Sequence, residues 1–123
     1  MEINYNDFVM VRITEKRIKY VSNFNDESSD NLYKATHYRW RANLDKIKYK
    51  KFVLSVIGTE IVNVYEVIKW QNAKDRYGEN GKGRVEFEGK QADEEIRNLF
   101  IGKKFPTVYQ NPVQYLSETT QIN

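Results

Sequence analysis

Phe52-Val53-Leu54-Ser55-Val56-Ile57-Gly58-Thr59-Glu60-Ile61-Val62-Asn63-Val64-Tyr65-Glu66-Val67-Ile68-Lys69-Trp70 is the stretch whose reading decides the fold. Its first six residues form a nearly continuous apolar run, rich in β-branched side chains, as a central strand requires. Glycine at the first position of a two-residue loop permits the positive φ of a type II′ turn, so Gly58-Thr59 reads as a tight hairpin. The returning arm, Ile61 to Trp70, is apolar on both faces and is expected to be well covered.

On the N-terminal side, Phe8 to Ile13 is β-rich and reads as the first strand. Glu15 to Asn25 is polar and charged, which suggests a loop or ragged hairpin. Ser28-Ser29-Asp30 supplies N-cap residues for a short helix through Leu32, Tyr33 and Ala35, giving way between Thr36 and Trp40. Asn43 caps a second helix, Leu44 to Lys51, with Lys46, Lys48, Lys50 and Lys51 on a solvated face.

On the C-terminal side, Gln71 to Gly83 holds three glycines among charges and is expected to be a mobile loop. Arg84 to Glu88 alternates, placing Val85 and Phe87 inward and Arg84, Glu86 and Glu88 outward. Asp93 caps a third helix with apolar positions Ile96, Leu99 and Phe100, and Gly102 stops it. A last strand, Val113 to Leu116, follows Asn111-Pro112, and the tail 117–123 is expected to fray. About four to six strands with two to three short helices imply an α+β fold, a small twisted sheet curled into a partly closed barrel. Residues 1–116 then make one domain.

Composition narrows the function. A chain of 123 residues supports one core. Zero cysteines exclude disulfides, thiolate zinc sites and thiol nucleophiles, and fit a reducing, cytoplasmic setting. No run approaches the ~20 apolar residues of a membrane span, and the N-terminus lacks a signal-peptide core. A net charge of +3 is too small for a broad, sequence-independent nucleic-acid face. His37 alone cannot build a metal set, and no carboxylate cluster has calcium-loop spacing. Neither a Gly-x-Ser-x-Gly elbow nor a phosphate-binding glycine loop occurs. Glu86 and Glu88 beside Arg84 read as a solvated charge ladder in preference to an acid-base pair. The chain is thus expected to need no cofactor, to bind no metal and to have no catalytic set. Its oligomeric state stays open, a homo-oligomer included.

Tyr33-Lys34-Ala35-Thr36-His37-Tyr38-Arg39-Trp40-Arg41 is the densest group of chemically informative residues. Guanidinium forks fit phosphate or carboxylate oxygens, and Trp and Tyr rings stack on bases. The plain alternative, favoured on residue types alone, has Trp40 and Tyr33 in the core and the arginines merely on the surface. Trp70 invites the same question, with core or rim packing the better answer.

Leu32-Tyr33-Lys34-Ala35-Thr36 with Trp40, the hairpin Phe52 to Trp70, Arg84-Val85-Glu86-Phe87-Glu88-Gly89, Ile101-Gly102-Lys103 and Gln110-Asn111-Pro112-Val113-Gln114-Tyr115 together resemble a family of small domains. Members occur alone in bacteria and phages and appended to nucleases. The pattern runs roughly Leu-Tyr-Glu-Ala-Thr-Arg-Gly-x-Trp, a Val-Tyr-x-Gly-Ile-Val hairpin ending in Trp, Arg-Trp-x-Phe-x-Gly, and Asn-Pro-x-Tyr. Here His37-Tyr38 stands in place of Arg-Gly, and Val85 in place of the second-motif Trp. That family is similar to the PUA-like superfamily of ASCH, EVE and YTH domains. The resemblance implies a small β-barrel whose mouth accepts a base or nucleotide, with Thr36, Tyr38, Trp40, Trp70, Arg84 and Asn111 at the pocket. With Arg39 and Arg41 added from the cluster, the expectation is non-enzymatic capture of a nucleotide, as when a phage-type protein sequesters a host immune signal. Rival expectations are an RNA or modified-DNA reader, an ASCH-type hydrolase using Glu86 or Lys103, and an inhibitor acting through protein contact.

Overall fold

A computed structural model describes residues 2–25 and 28–123; Met1, Asp26 and Glu27 lie outside them. The hairpin joins β2 (Phe52–Ile57) to β3 (Glu60–Asn72), with Ile57 opposite Glu60 and Gly58 at a φ of +63°. The long arm is less covered than its composition suggests. Ile68 is 66% exposed, because a bulge between Val67 and Lys69 takes it out of register with β4 (Val85–Gln91). A bulged residue loses its ladder partner and can turn outward.

β1 (Phe8–Ile13) pairs parallel with β2, and β5 (Val113–Tyr115) pairs antiparallel with β1. The sheet order is β4-β3-β2-β1-β5, so the fold is α+β with a mixed five-stranded sheet. β4 and β5 are its edges, and the sheet is not closed. Parallel neighbours need a long crossover, and the β1–β2 connection accommodates α1 (Glu15–Val21), α2 (Asn31–His37) and α3 (Leu44–Ile47).

The first of these helices replaces the expected loop at 15–25. The Thr14 hydroxyl accepts the Arg17 N–H at 3.0 Å as its cap, but only Ile18 and Val21 supply an apolar face, too few to register as a period. In α2, Asp30 Oδ1 accepts the Tyr33 N–H at 3.0 Å while Oδ2 accepts the Tyr65 hydroxyl at 2.9 Å, so one carboxylate caps the helix and ties it to β3. α3 is a single turn, shorter than the expected Leu44–Lys51, because Lys51 donates its N–H to Asp7 O at 2.7 Å and joins the strand region instead. α4 (Glu94–Phe100) buries Ile96 and Phe100 at i and i+4, whereas Leu99, expected inward, lies on the flank at 41% exposure.

Alternation along β1 divides the interior. Val9, Val11 and Ile13 join Val53, Tyr65, Trp70 and Phe87 in the cluster that includes Val21 of α1, Ala35 of α2 and Ile47 of α3. Phe8 and Met10 join Leu54, Val56, Ile61 and Val64 with Ile96 and Phe100 of α4. Close approach of β3 to β4 beside the bulge depends on Gly89: a Cβ there would collide with Glu66 O, and the Gly89 N–H donates to the Tyr33 hydroxyl of α2 at 3.1 Å.

Two segments expected to be loose are built in. Within 71–83, Tyr77 and Gly78 take φ of +54° and +69°, the signs of a type I′ turn, while Arg76 and Glu79 exchange backbone hydrogen bonds at 3.1 and 2.8 Å. The 117–123 tail, expected to fray, returns to Lys104, where Asn123 exchanges backbone hydrogen bonds at 2.7 and 2.8 Å.

Candidate functional site

α2 ends at His37, Tyr38 is extended, and Arg39 enters the left-handed region at a φ of +74°. For a non-glycine residue that costs on the order of 1–3 kcal/mol and persists only where neighbours enforce it. Trp40 enforces it by exchanging both backbone hydrogen bonds with Val85, at 3.0 and 2.9 Å. The indole Nε1 donates to Thr36 O at 2.7 Å, which sets the ring's orientation. Tyr38 thereby points inward, 2% exposed, Arg39 and Trp40 are half-buried with one side of the indole packed against the core, and Arg41 is exposed.

Two concavities meet at Trp40. One, of about 410 Å³, has Arg12, Arg17, Arg39, Trp40, Glu79 and Pro112 in its wall. The other, of about 460 Å³, has Arg39, Trp40, Arg41, Arg84, Asn111 and Pro112. Arg39, Trp40 and Pro112 are common to both, so they form one groove. Arg84 leads into one edge strand and Asn111-Pro112 into the other, so the sheet curls enough for both edges to border it. A larger concavity of about 740 Å³ lies elsewhere, among Glu2, Tyr5, Asp7 and Glu118, where acidic walls disfavour anions.

Five arginines line the groove against one glutamate. Arg17 Nη2 is paired with Glu79 at 2.6 Å, and Arg39 Nε donates to Asn80 O at 2.9 Å. Arg12 Nε is buried without a hydrogen-bond partner, and its Nη2 reaches only Gln110 O at 3.4 Å. Among the described residues, the guanidinium groups of Arg41 and Arg84 have no hydrogen bond or ion pair. The groove is a positively charged surface beside an indole, suited to an anion that carries a flat ring.

Of the residues singled out from sequence, Arg39, Trp40, Arg41, Arg84 and Asn111 come together here, with Tyr38 in the wall of the first concavity. Thr36 and Trp70 do not. Thr36 is fully buried, bonded to Leu32 O and Ser55 Oγ. Trp70 is 8% exposed, donates Nε1 to Lys50 O at 3.0 Å and packs 5.1 Å from Phe87. Sequence reasoning missed Arg12 and Arg17. A cation inside an otherwise apolar strand was a usable signal for Arg12; Arg17 needed α1 to be recognised first.

The titratable groups nearby are committed to structure. His37 is buried, stacked on Tyr33 at 4.7 Å, with Nδ1 3.1 Å from Phe87 O and Nε2 2.8 Å from the Tyr77 hydroxyl. A carbonyl only accepts, so Nδ1 carries the proton, and in the neutral ring Nε2 accepts from Tyr77. Glu86 corrects the expected outward ladder: its side chain is wholly buried. The carboxylate accepts from the Gln71 amide, from Lys74 N–H at 3.2 Å and from Arg76 Nε and Nη2 at 2.9 and 3.0 Å. Burial pushes its pKa up, but the Arg76, Gln71 and Lys74 donors together outweigh this and hold it below the ordinary glutamate value. Lys103, the other acid-base candidate, is exposed and lines neither concavity. Burial also raises the Tyr38 phenol's pKa, keeping it a donor, to Lys74 O at 2.6 Å. No group of His, Cys, Asp or Glu suited to a metal occurs among the described residues, and none of their helices is long and apolar enough to cross a membrane.

Compared with protein families, with curated proteins and with solved structures, the chain finds no match.

Proposed function

We propose that this protein binds a nucleotide-like ligand without transforming it. The observation that carries the reading is Trp40, fixed by Thr36 O and shared by two concavities that five arginines line. The half-buried ring offers a stacking surface, and the arginines offer phosphate donors, those of Arg41 and Arg84 unbonded among the described residues. Glu86 and His37 are bonded within the fold, which argues against their use in turnover. Kinship with PUA-like domains, a cytoplasmic setting and the sequestering of a host nucleotide signal by a phage-type protein belong to the same proposal. The kinship and the sequestration rest on the sequence resemblance, and the cytoplasmic setting on composition.

The test uses the two tryptophans. Trp70 is buried away from the groove, so a Trp70→Phe variant leaves Trp40 as the sole indole reporter. Nucleotides should quench its emission, and Trp40→Ala should weaken binding by roughly 5- to 150-fold, since stacking on one aromatic ring contributes roughly 1–3 kcal/mol. Mass spectrometry of material released from the denatured protein identifies any co-purified ligand. Absence of released nucleotide together with an unchanged Trp40 signal for every nucleotide tried rejects the proposal. Affinity confined to polynucleotides and falling steeply with salt moves it to the nucleic-acid reader.

A further inference from the structure

Resting on the nucleotide reading, we infer that the groove has two separate phosphate seats on either side of Trp40. Its ligand then carries phosphate on both flanks of one nucleoside, as an internal unit of a short phosphodiester-linked oligonucleotide does. Arg12 and Arg17 belong only to the first concavity, Arg41 and Arg84 only to the second, while Arg39 and the indole belong to both. Each seat has guanidinium donors that the fold leaves largely unused: Arg12 Nη2 reaches only Gln110 O, at 3.4 Å, and the guanidinium groups of Arg41 and Arg84 bond no described residue. Glu79 neutralises Arg17 alone, and no carboxylate lines the second seat.

A 5′-monophosphate has its charge on one flank of the sugar and engages one seat, leaving like charges facing each other at the other. A 5′-diphosphate has more charge but keeps it on the same flank. Only phosphates attached at both the 5′ and 3′ positions place anions on both sides of a base stacked on Trp40. Placement of charge, beyond its amount, is therefore what the groove selects.

The experiment titrates the Trp70→Phe protein, by Trp40 fluorescence, with the four ribonucleoside 5′-monophosphates, 5′-diphosphates and 3′,5′-bisphosphates. The bisphosphate of the preferred base should bind about tenfold or more tighter than either its monophosphate or its diphosphate, the added contact being a charge-assisted, bidentate one. Arg12→Met and Arg84→Gln should each reduce bisphosphate affinity about tenfold, whereas the monophosphate should respond to only one of them. Arg12 Nε makes no hydrogen bond in the fold, so Arg12→Met should stay folded; Arg17→Gln and the exposed Arg41→Gln report on the same two seats if either first choice unfolds. Equal binding of dinucleotide and homopolymeric strand marks a free small ligand as the source, and affinity that climbs with strand length marks a nucleic acid; both retain the two-seat chemistry. A bisphosphate no better than the 5′-diphosphate, with Trp40 still quenched, overturns the two seats and leaves the nucleotide reading standing. Silence of Trp40 toward the whole panel removes both.

Discussion

Beneath α4 the sheet is sealed by hydrocarbon: Phe8, Met10, Leu54, Val56, Ile61 and Val64 meet Ile96, Phe100, Phe105 and Leu116. Asn63, bonded to Gln91 and Arg97, is the buried polar side chain beside that helix. Beneath α2 the same sheet is laced with buried polar groups, Lys34, Thr36, His37 and Ser55, each with a hydrogen-bond partner. The difference is one of purpose. Non-directional burial stabilises without fixing orientation, whereas buried hydrogen bonds contribute little net energy but admit only one arrangement. The groove adjoins the second kind of packing. Ser55 holds Thr36, the Thr36 carbonyl holds the Trp40 indole, and the Tyr38 hydroxyl holds Lys74 O and the Arg76 N–H, whose side chain anchors Glu86.

The sharpest way to break this contrast is Phe100→Ala. It should cost about 3–5 kcal/mol in denaturant unfolding, as expected for truncating a buried aromatic. Leu99→Ala on the exposed flank of the same helix should stay within about 1 kcal/mol. Equal losses at both positions would mean that α4 does not pack as described.

Glu86→Gln should come next, at about 2 kcal/mol, below the 3–5 kcal/mol of a fully buried broken pair because Arg76 keeps partial contact with water. Its pH dependence has a definite sign. Glu86 has a depressed folded pKa, so its contribution is fully present above the ordinary glutamate value of about 4.3 and is lost as pH falls through the lower folded value. The stability gap between wild type and Glu86→Gln should therefore narrow on acidification from about pH 6 to about pH 3. A constant gap across that range would show that Glu86 is not held as an ionised acceptor.

The smallest effect sharpens the contrast most. Thr36→Val leaves the Ser55 hydroxyl without its buried partner and should cost about 1–2 kcal/mol, as should Ser55→Ala. The double variant should recover about 1 kcal/mol of the summed loss, because removing both polar groups leaves no orphan. Strict additivity would mean that the two hydroxyls do not depend on each other.

Much of the sheet was legible because its signals are local. The apolar run Phe52–Ile57 and the Gly58-Thr59 turn specify β2 and the start of β3 within a few residues of themselves. Asp30 and Asn43 each cap the helix that follows, since a cap bonds residues only two or three positions away. Half-legible was the groove: the run from Arg39 to Arg41 marked it, but Thr36, Tyr38 and Trp70, of the same residue classes, proved interior. Residue type does not reveal which side of a strand or turn a ring occupies.

What the sequence determined by itself, then, is where the central strands start, where the chain makes its tight hairpin turn and that Asp30 and Asn43 cap helices, since these depend on φ preferences and on bonds spanning a few residues. Only the tertiary structure decided that β1 lies parallel to β2, that Glu86 is enclosed by Gln71, Lys74 and Arg76, and that Arg12 and Arg17 share a groove with Arg84. Those outcomes depend on segments far apart in the chain meeting at one place. The free energy of such a meeting resides in the assembled packing, and no single stretch of sequence contains it.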